Sequence, residues 1–218
     1  MANHPLWTEE LWPLIIQLYQ QKPVGVKPMY ARQTVDLAME LHIPPQVIYQ
    51  KMFSLRQQLP PSLQRLRDTI CASPRKLRKA CDNVRQMAGY GTAGSFFTDV
   101  ETCETFERDF RPIVTDDGPT PYTPIMLIII LDLYFQLIPA TMVVETPDVQ
   151  EVAALLGIKA QEVVDILEIY TYCDPYIEHQ DSLFDPMLPD CHRIWQRFAN
   201  DDPMLLTNTA TQMKAYFK

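Results

Sequence analysis

The chain has 218 residues, of which 47% are hydrophobic and 21% charged, a composition typical of an ordinary globular protein with a filled core. Its longest apolar stretch, which runs from residue 125 to about residue 139, is shorter than the roughly 20 residues needed to cross a bilayer, so no membrane span is expected. The net charge of -8 is unevenly divided: residues 1–88 carry 12 Lys and Arg against 6 Asp and Glu, whereas residues 89–218 carry 7 against 21. The basic part could bind an anionic partner, or the two parts could match each other in charge within or between chains.

The sequence also favours a cytoplasmic protein. Residues 1–7 lack a basic segment followed by an apolar stretch, so no secretory signal is expected. The five cysteines are odd in number and form no CxxC pair, which favours a reducing compartment over a disulfide framework.

Nearly all of the predicted secondary structure is helical, because strand-like alternation of apolar and polar residues is almost absent. Periodicity predicts helices near residues 9–22, 32–42, 45–58, 61–71 and 74–88, and then near 123–137, 147–156, 159–173, 187–199 and 203–217. A capping residue followed by proline marks three helix starts, at Pro74, Pro147 and Pro203. The segment between the two sets is predicted to be an irregular linker with one short helix near 99–109.

The N-terminal half of the chain matches the C-terminal half at a shift of 115 residues. Over the 49 positions from 12 to 60, nine pairs are identical, where unrelated sequences would share roughly three. The identical pairs are Ile15 with Ile130, Leu18 with Leu133, Tyr19 with Tyr134, Gln21 with Gln136, Ala38 with Ala153, Leu41 with Leu156, Ile43 with Ile158, Gln46 with Gln161 and Pro60 with Pro175. The last helices match at a shift of 129, which places 14 extra residues in a loop near 177–190. We therefore predict an all-α fold of tandem duplicated repeats, with residues 1–88 as the first repeat, 89–121 as linker and 122–218 as the second.

Within each repeat, the second and third helices have the spacing of a helix-turn-helix unit. A small residue is followed four positions later by a turn residue, and six positions after that by a branched apolar residue. These residues are Ala38, His42 and Ile48 in the first repeat and Ala153, Gly157 and Val163 in the second. Over about 20 residues per repeat the chain resembles the helix-turn-helix family, and this resemblance implies a fold but not a function.

The first repeat contains candidate contacts for nucleic acid within residues 45–79. DNA-binding units present Arg, Lys, Asn or Gln on the outer face of their second helix, and the candidates are Gln46, Gln50, Lys51, Arg56, Arg75, Lys76, Arg78 and Lys79. The alternative is that residues 75–79 form a solvated helix face, since dedicated DNA-binding proteins are usually basic overall. Pro44 and Pro45 also argue against base readout, because they put a rigid turn without N–H donors where a recognition helix enters the groove.

The outer face of the second repeat does not meet this criterion for DNA binding. It carries Glu162, Asp165 and Glu168, which phosphate would repel. These carboxylates are a candidate acidic docking face for a protein partner.

No cofactor or metal site is predicted. Gly89, Gly91 and Gly94 match the pattern GxGxxG, but they follow a helix and not a strand, so they are not expected to bind a nucleotide. Residues 173–192 collect thiols, imidazoles and carboxylates, but the spacing is irregular for zinc, so a metal there stays an open alternative. Asp132 lies in the most apolar helix, where a polar helix edge shared with Gln17 is the simplest interpretation.

Two short phrases, WTEELWP (7–13) and DFRP (109–112), resemble helical bacterial proteins of unassigned function, a resemblance that implies no activity. The predicted function is a non-catalytic, intracellular protein-interaction or regulatory module built on helix-turn-helix-like repeats. One alternative is a transcription-associated DNA-binding protein that uses the basic first repeat. An enzyme is the third choice, because the sequence presents no recognisable acid, base or nucleophile constellation. The sequence leaves the oligomeric state and the identity of the partner open.

Overall fold

The computed structural model describes residues 4–90, 106–116, 118–179, 181–200 and 202–218. The chain forms two compact units, Met1–Thr105 and Phe106–Lys218. Helices dominate the described residues, in which two short strands, β1 (Val114–Thr115) and β2 (Gly118–Pro119), pair antiparallel. The prediction of a helical fold is confirmed. Gly91, Gly94 and the first part of the short helix predicted near 99–109 lie outside the described ranges.

The first unit is built around its first long helix. Its helices are α1 (Trp12–Gln20), α2 (Arg32–Leu41), α3 (Pro45–Ser54), α4 (Pro61–Ile70) and α5 (Pro74–Arg85). Helix α1 packs against α3, α4 and α5, and α2 packs against α3. Helix α3 ends four residues earlier than predicted, because the N–H groups of Leu55, Arg56 and Gln57 bond three residues back instead of four.

The second unit has a central helix that is buried on every side. Its helices are α6 (Phe106–Asp109), α7 (Pro124–Gln136), α8 (Pro147–Leu156), α9 (Ala160–Cys173), α10 (Leu188–Phe198) and α11 (Pro203–Met213), followed by a 3-10 turn over Lys214–Tyr216. All residues of α7 from Ile125 to Tyr134 are buried, and the other five helices all pack against it. No helix of the described ranges is long and apolar enough to cross a membrane.

The predicted linker over 89–121 is in part packed within the second unit, which begins at Phe106 and includes the described residues 106–116 and 118–121. Asp109 accepts two hydrogen bonds from Arg197 of α10, at 2.8 and 2.9 Å. The ring of Phe110 lies 5.1 Å from that of Tyr216. This segment is therefore anchored to both α10 and the C-terminal turn.

Each unit contains a helix pair joined by a residue in the left-handed conformation. His42 has φ 54° between α2 and α3, and Gly157 has φ 70° between α8 and α9. The next residue donates its N–H back to the preceding helix, from Ile43 to Ala38 O and from Ile158 to Ala153 O, at 3.1 Å in both cases. Left-handed backbone ends a helix and reverses the chain, so the following helix can pack against it.

The three predicted helix starts are confirmed, with Pro74, Pro147 and Pro203 each in the first position. The hydroxyl of Ser73 and the carboxylate of Asp202 accept backbone N–H groups of their helices, as capping residues do. Thr146, the residue before α8, instead donates its hydroxyl hydrogen to Thr141 O at 2.5 Å. Thr146 therefore stabilises the loop before α8, and its side chain does not cap the N–H groups of that helix.

Candidate functional site

Four of the candidate nucleic-acid contacts form one exposed cationic surface on the first half of α5. Arg75, Lys76, Arg78 and Lys79 are all exposed, and we call them the basic face. At 3.6 residues per turn, Arg75 and Lys79 lie roughly opposite the side of α5 that buries Cys81 and Val84. The basic face therefore presents its charge to solvent.

Lys51 is in a different environment from the basic face. Its Nζ lies 4.3 Å from the ring centroid of Trp7 and 5.7 Å from that of Trp12. Burial lowers the pKa of Lys51, and the negative charge of Glu9 acts against that change. Glu9 in turn accepts the indole N–H of Trp12 at 2.6 Å. Lys51 thus holds the N-terminal segment against α3 through cation–π contacts.

The remaining candidates of the first unit are neutral or isolated. Gln46 and Gln50 are exposed on α3, where the Gln46 amide donates to the Tyr30 hydroxyl at 3.2 Å. Arg56 is exposed just after the end of α3. The eight predicted contacts therefore separate into the basic face, two amides on α3, one exposed arginine and one lysine that packs on tryptophan.

Two of the three carboxylates predicted as an acidic docking face have local partners. Glu162 accepts the backbone N–H of Lys159 at 2.7 Å and so caps the start of α9. Asp165 is exposed and accepts the side-chain amide of Gln161 at 2.8 Å, and Glu168 is exposed one turn further along. The acidic face is thus present on α9, although Glu162 also stabilises the helix start.

Tyr122 connects these carboxylates with the segment that follows α9. Burial raises the pKa of Tyr122 to about 12, and the negative charges of Glu162, Asp165 and Asp185 add to the rise. A charge affects a neighbouring pKa in this way only at short range. Carboxylates from α9 and from the segment between α9 and α10 thus both act on the Tyr122 hydroxyl.

The α9–α10 loop (174–187) presents two aromatic side chains to solvent. Tyr176 and Phe184 are each 94% exposed. The same loop carries four acidic residues, of which Glu178 and Asp181 are exposed and Asp174 and Asp185 partly buried. Neither aromatic was among the sequence-predicted site residues, although each stands in an acidic segment.

Side-chain bonds anchor this loop at its start, in its middle and at its end. The carboxylate of Asp174 accepts the Tyr134 hydroxyl and the Tyr176 N–H, both at 2.9 Å. The ring of His179 stacks on Tyr172 with centroids 3.7 Å apart. At the far end Asp185 accepts the N–H of Met187 at 2.7 Å. The described parts of the loop, 174–179 and 181–187, therefore make side-chain contacts before Tyr176 and after Phe184.

The thiols of the second unit are buried and not activated. Burial raises the pKa of Cys173 to about 11 and that of Cys191 further. An activated cysteine has the opposite shift. Among the described residues, no group of three or more His, Cys, Asp and Glu side chains is placed to hold a metal ion.

The buried carboxylate in α7 has partners that are far away in sequence. Asp132 is 2% exposed and accepts the Thr207 hydroxyl at 2.9 Å, with Lys214 Nζ at 3.9 Å. α11 and the C-terminal turn therefore cover Asp132, whereas its counterpart Gln17 in α1 is partly exposed. The bonds of Asp132 join α7 to these elements.

We expect stability of the first unit to fall in alkali because of Cys81. This thiol is fully buried, donates to Pro13 O at 3.4 Å, and has a pKa that burial raises from 9.0 to about 11. Above pH 9 the thiol ionises in the unfolded chain but not in the folded one, so the free energy of unfolding falls. The stabilisation is complete below pH 9 and is lost as the pH rises through 11, by at most about 1.4 kcal/mol per pH unit.

The measurement is urea unfolding with reductant at several pH values, in a Trp195→Phe background where the fluorescence of Trp7 and Trp12 reports the first unit. The control is Cys81→Ala, whose baseline stability falls but whose decline with pH should be shallower. An equal decline in both proteins would contradict the assignment to Cys81.

Comparison with known proteins returned no matching family model, no matching curated protein and no matching solved structure.

Proposed function

We propose that this protein is a non-catalytic protein-interaction module whose docking surface combines the α9–α10 loop with the carboxylates of α9. The observation that carries the proposal is the 94% exposure of Tyr176 and Phe184 on a loop with fixed ends. Aromatic side chains supply much of the binding energy at protein interfaces, especially when they are held in place before binding. Because Tyr176 and Phe184 are exposed, they add nothing to the packing of the core, and a binding role accounts for them.

The chemistry around the two aromatics defines the kind of partner. Glu178 and Asp181 are exposed on the same loop, and Asp165 and Glu168 on α9 add further negative charge. Carboxylates at the rim of an interface steer a partner of opposite charge and favour it over acidic proteins. The partner should therefore offer apolar or aromatic-binding pockets bordered by Lys and Arg.

Several observations favour binding over catalysis. The thiols of Cys81, Cys173 and Cys191 have raised pKa values, so each is protonated and unreactive near neutral pH. The buried carboxylates of Asp109 and Asp132 are bonded to groups of their own unit. These bonds link helices of the second unit, which accounts for both carboxylates without a catalytic role.

The scaffold of the module is proposed to be two helix-turn-helix-like repeats that arose by tandem duplication. A shift of 115 residues carries α2 onto α8 from its first residue to its last, and carries the start of α3 onto the start of α9. A shift of 129 residues carries Pro74 onto Pro203, the starts of α5 and α11. In the first unit α1 packs against α3, α4 and α5. In the second unit α7 packs against α9, α10 and α11, which hold the corresponding places.

We expect the double substitution Tyr176→Ala with Phe184→Ala to weaken partner binding at least about 30-fold, since truncation of an interface aromatic costs about 2 kcal/mol or more. A photoreactive benzoylphenylalanine at position 176 identifies the contacted protein in cells, and titration calorimetry with that purified protein measures the affinity. The matched control is Val114→Ala, a truncation of another exposed apolar side chain of the same unit. If the crosslinked protein bound the double variant and the parent chain equally well, the docking surface would lie elsewhere.

The alternative of a DNA-binding protein keeps one supporting observation, the exposure of the basic face. Base readout through α3 has weaker support, because this helix begins at Pro45 and its Lys51 lies over Trp7. Contact with DNA would then rest mainly on phosphate, which gives no sequence specificity, with Gln46 and Gln50 as the exposed amides on α3. Docking through the second unit is the better-supported function.

A further inference from the structure

The basic face concentrates charge where the helix itself gains nothing from it. Arg75 and Lys76 occupy the first turn of α5, next to the positive end of the helix dipole, and Arg78 and Lys79 follow directly. All four are exposed, and Arg75 and Lys79 lie roughly opposite the packed side of α5. Four adjacent cations in this position oppose the dipole and repel one another, so their benefit must come from a negatively charged partner.

The second unit does not need cations at the matching positions. Under the shift of 129 residues, Arg75 and Lys76 correspond to Met204 and Leu205, which are 65% and 51% exposed on α11. A helix with the same start and the same place in its unit thus forms with neutral side chains there. The cations of α5 are therefore specific to the first unit and not a requirement of the helix arrangement.

The same chain carries a surface with the complementary chemistry. The α9–α10 loop exposes Glu178 and Asp181, which can pair with lysine and arginine. It also exposes Tyr176 and Phe184, whose ring faces can receive arginine guanidinium groups. A nucleic acid fits less well, because residues 89–218 carry 21 acidic against 7 basic residues and would repel phosphate.

We propose that the partner of the basic face is the α9–α10 loop of a second copy of this chain, an inference that rests on the proposed function of that loop. The carboxylates of one copy would pair with Lys76 and Lys79 of the next, and its two aromatics would stack on Arg75 and Arg78. Each copy would then use two different surfaces, so the association is head-to-tail. Such an interface continues from copy to copy unless the rotation closes a ring.

The test uses the purified chain in sedimentation equilibrium at about 50 mM and 500 mM salt. We expect the average mass to rise with protein concentration at low salt and to return to that of one chain at high salt, because charge pairing at the surface is screened. A face variant, Arg75→Glu with Arg78→Glu, and a loop variant, Tyr176→Ala with Phe184→Ala, should each be monomeric. An equimolar mixture of the two should give a complex of two chains and no larger species, since only one intact pair of surfaces remains.

The charge control is Lys22→Glu with Arg108→Glu, which changes the net charge equally at two exposed positions outside the basic face and should leave self-association intact. A wild-type chain that stays monomeric at low salt, or a loop variant that still self-associates, would overturn the inference. If the wild-type chain does not self-associate but binds a random DNA duplex in a salt-sensitive way, and the face variant loses that binding, the basic face binds nucleic acid and the inference is wrong. If the purified chain is monomeric while position 176 still crosslinks another protein in cells, the proposed function stands and only the inference of self-association fails.

Discussion

Replacing Ile129 with alanine should lower the stability of the second unit by about 3 to 4 kcal/mol. The side chain is fully buried near the middle of α7, the helix on which every other helix of this unit packs. Removal of three carbon atoms loses their transfer free energy and leaves a cavity that the surrounding helices can fill only in part. The effect should be close to the largest that a single truncation produces in this protein.

Hydrogen exchange resolved along the chain measures this loss and separates the two units. Protection should fall across the helices of the second unit, while α1 to α5 keep theirs, because the units have separate cores. Ile129→Val is the matched control and should cost about 1 kcal/mol. A loss below 1 kcal/mol for the alanine variant would show that the site is not rigidly packed.

Replacing Arg197 with methionine should cost about 2 to 3 kcal/mol, the second largest effect that we expect. Asp109 accepts two hydrogen bonds from Arg197, and its side chain is only 10% exposed. Without the guanidinium, this carboxylate would lose both hydrogen bonds and its ion-pair partner in a place with little water to solvate it. The side chain of Arg197 is 45% exposed, which keeps the loss at the lower end of the range for buried pairs.

The matched variant is Asp109→Leu combined with Arg197→Met, which removes both charges and should recover most of the lost stability. Urea unfolding of the two single variants, the double variant and the parent gives the coupling energy of the pair. Losses that simply add would mean that the two side chains do not interact. In Arg197→Met we expect the amides of Phe110 and Arg111, which bond back to Glu107 and Arg108, to exchange faster, since this ion pair links α6 to α10.

The helices and their starts were predictable because their signals are local. Pro74, Pro147 and Pro203 fit the first helical position and no interior one, so each marks a helix start without knowledge of the fold. Gly157 ends α8 because it adopts left-handed backbone at low cost. The strongly apolar sequence of α7 is likewise typical of a buried helix, and its residues from Ile125 to Tyr134 are buried.

The candidate sites were predictable only in part. The basic face and the exposed carboxylates of α9 follow from helical periodicity, which places charged residues on the outer side. Lys51 satisfied the same rule, yet it lies over Trp7, 44 positions away along the chain. Tyr176 and Phe184 were missed because aromatic residues are usually buried, and no periodic pattern in a loop tells which ones are not.

The sequence by itself determined where most helices begin, where the two helix pairs turn, and how charge divides along the chain. These properties depend on residues within about one helical turn of each other, and local interactions act the same way in any fold. Only the tertiary structure decided that residues 106–121 belong to the second unit, that Asp132 is covered, and that the α9–α10 loop exposes its aromatics. Each of those outcomes depends on partners such as Asp109 and Arg197, which are 88 positions apart and come together only when the helices pack.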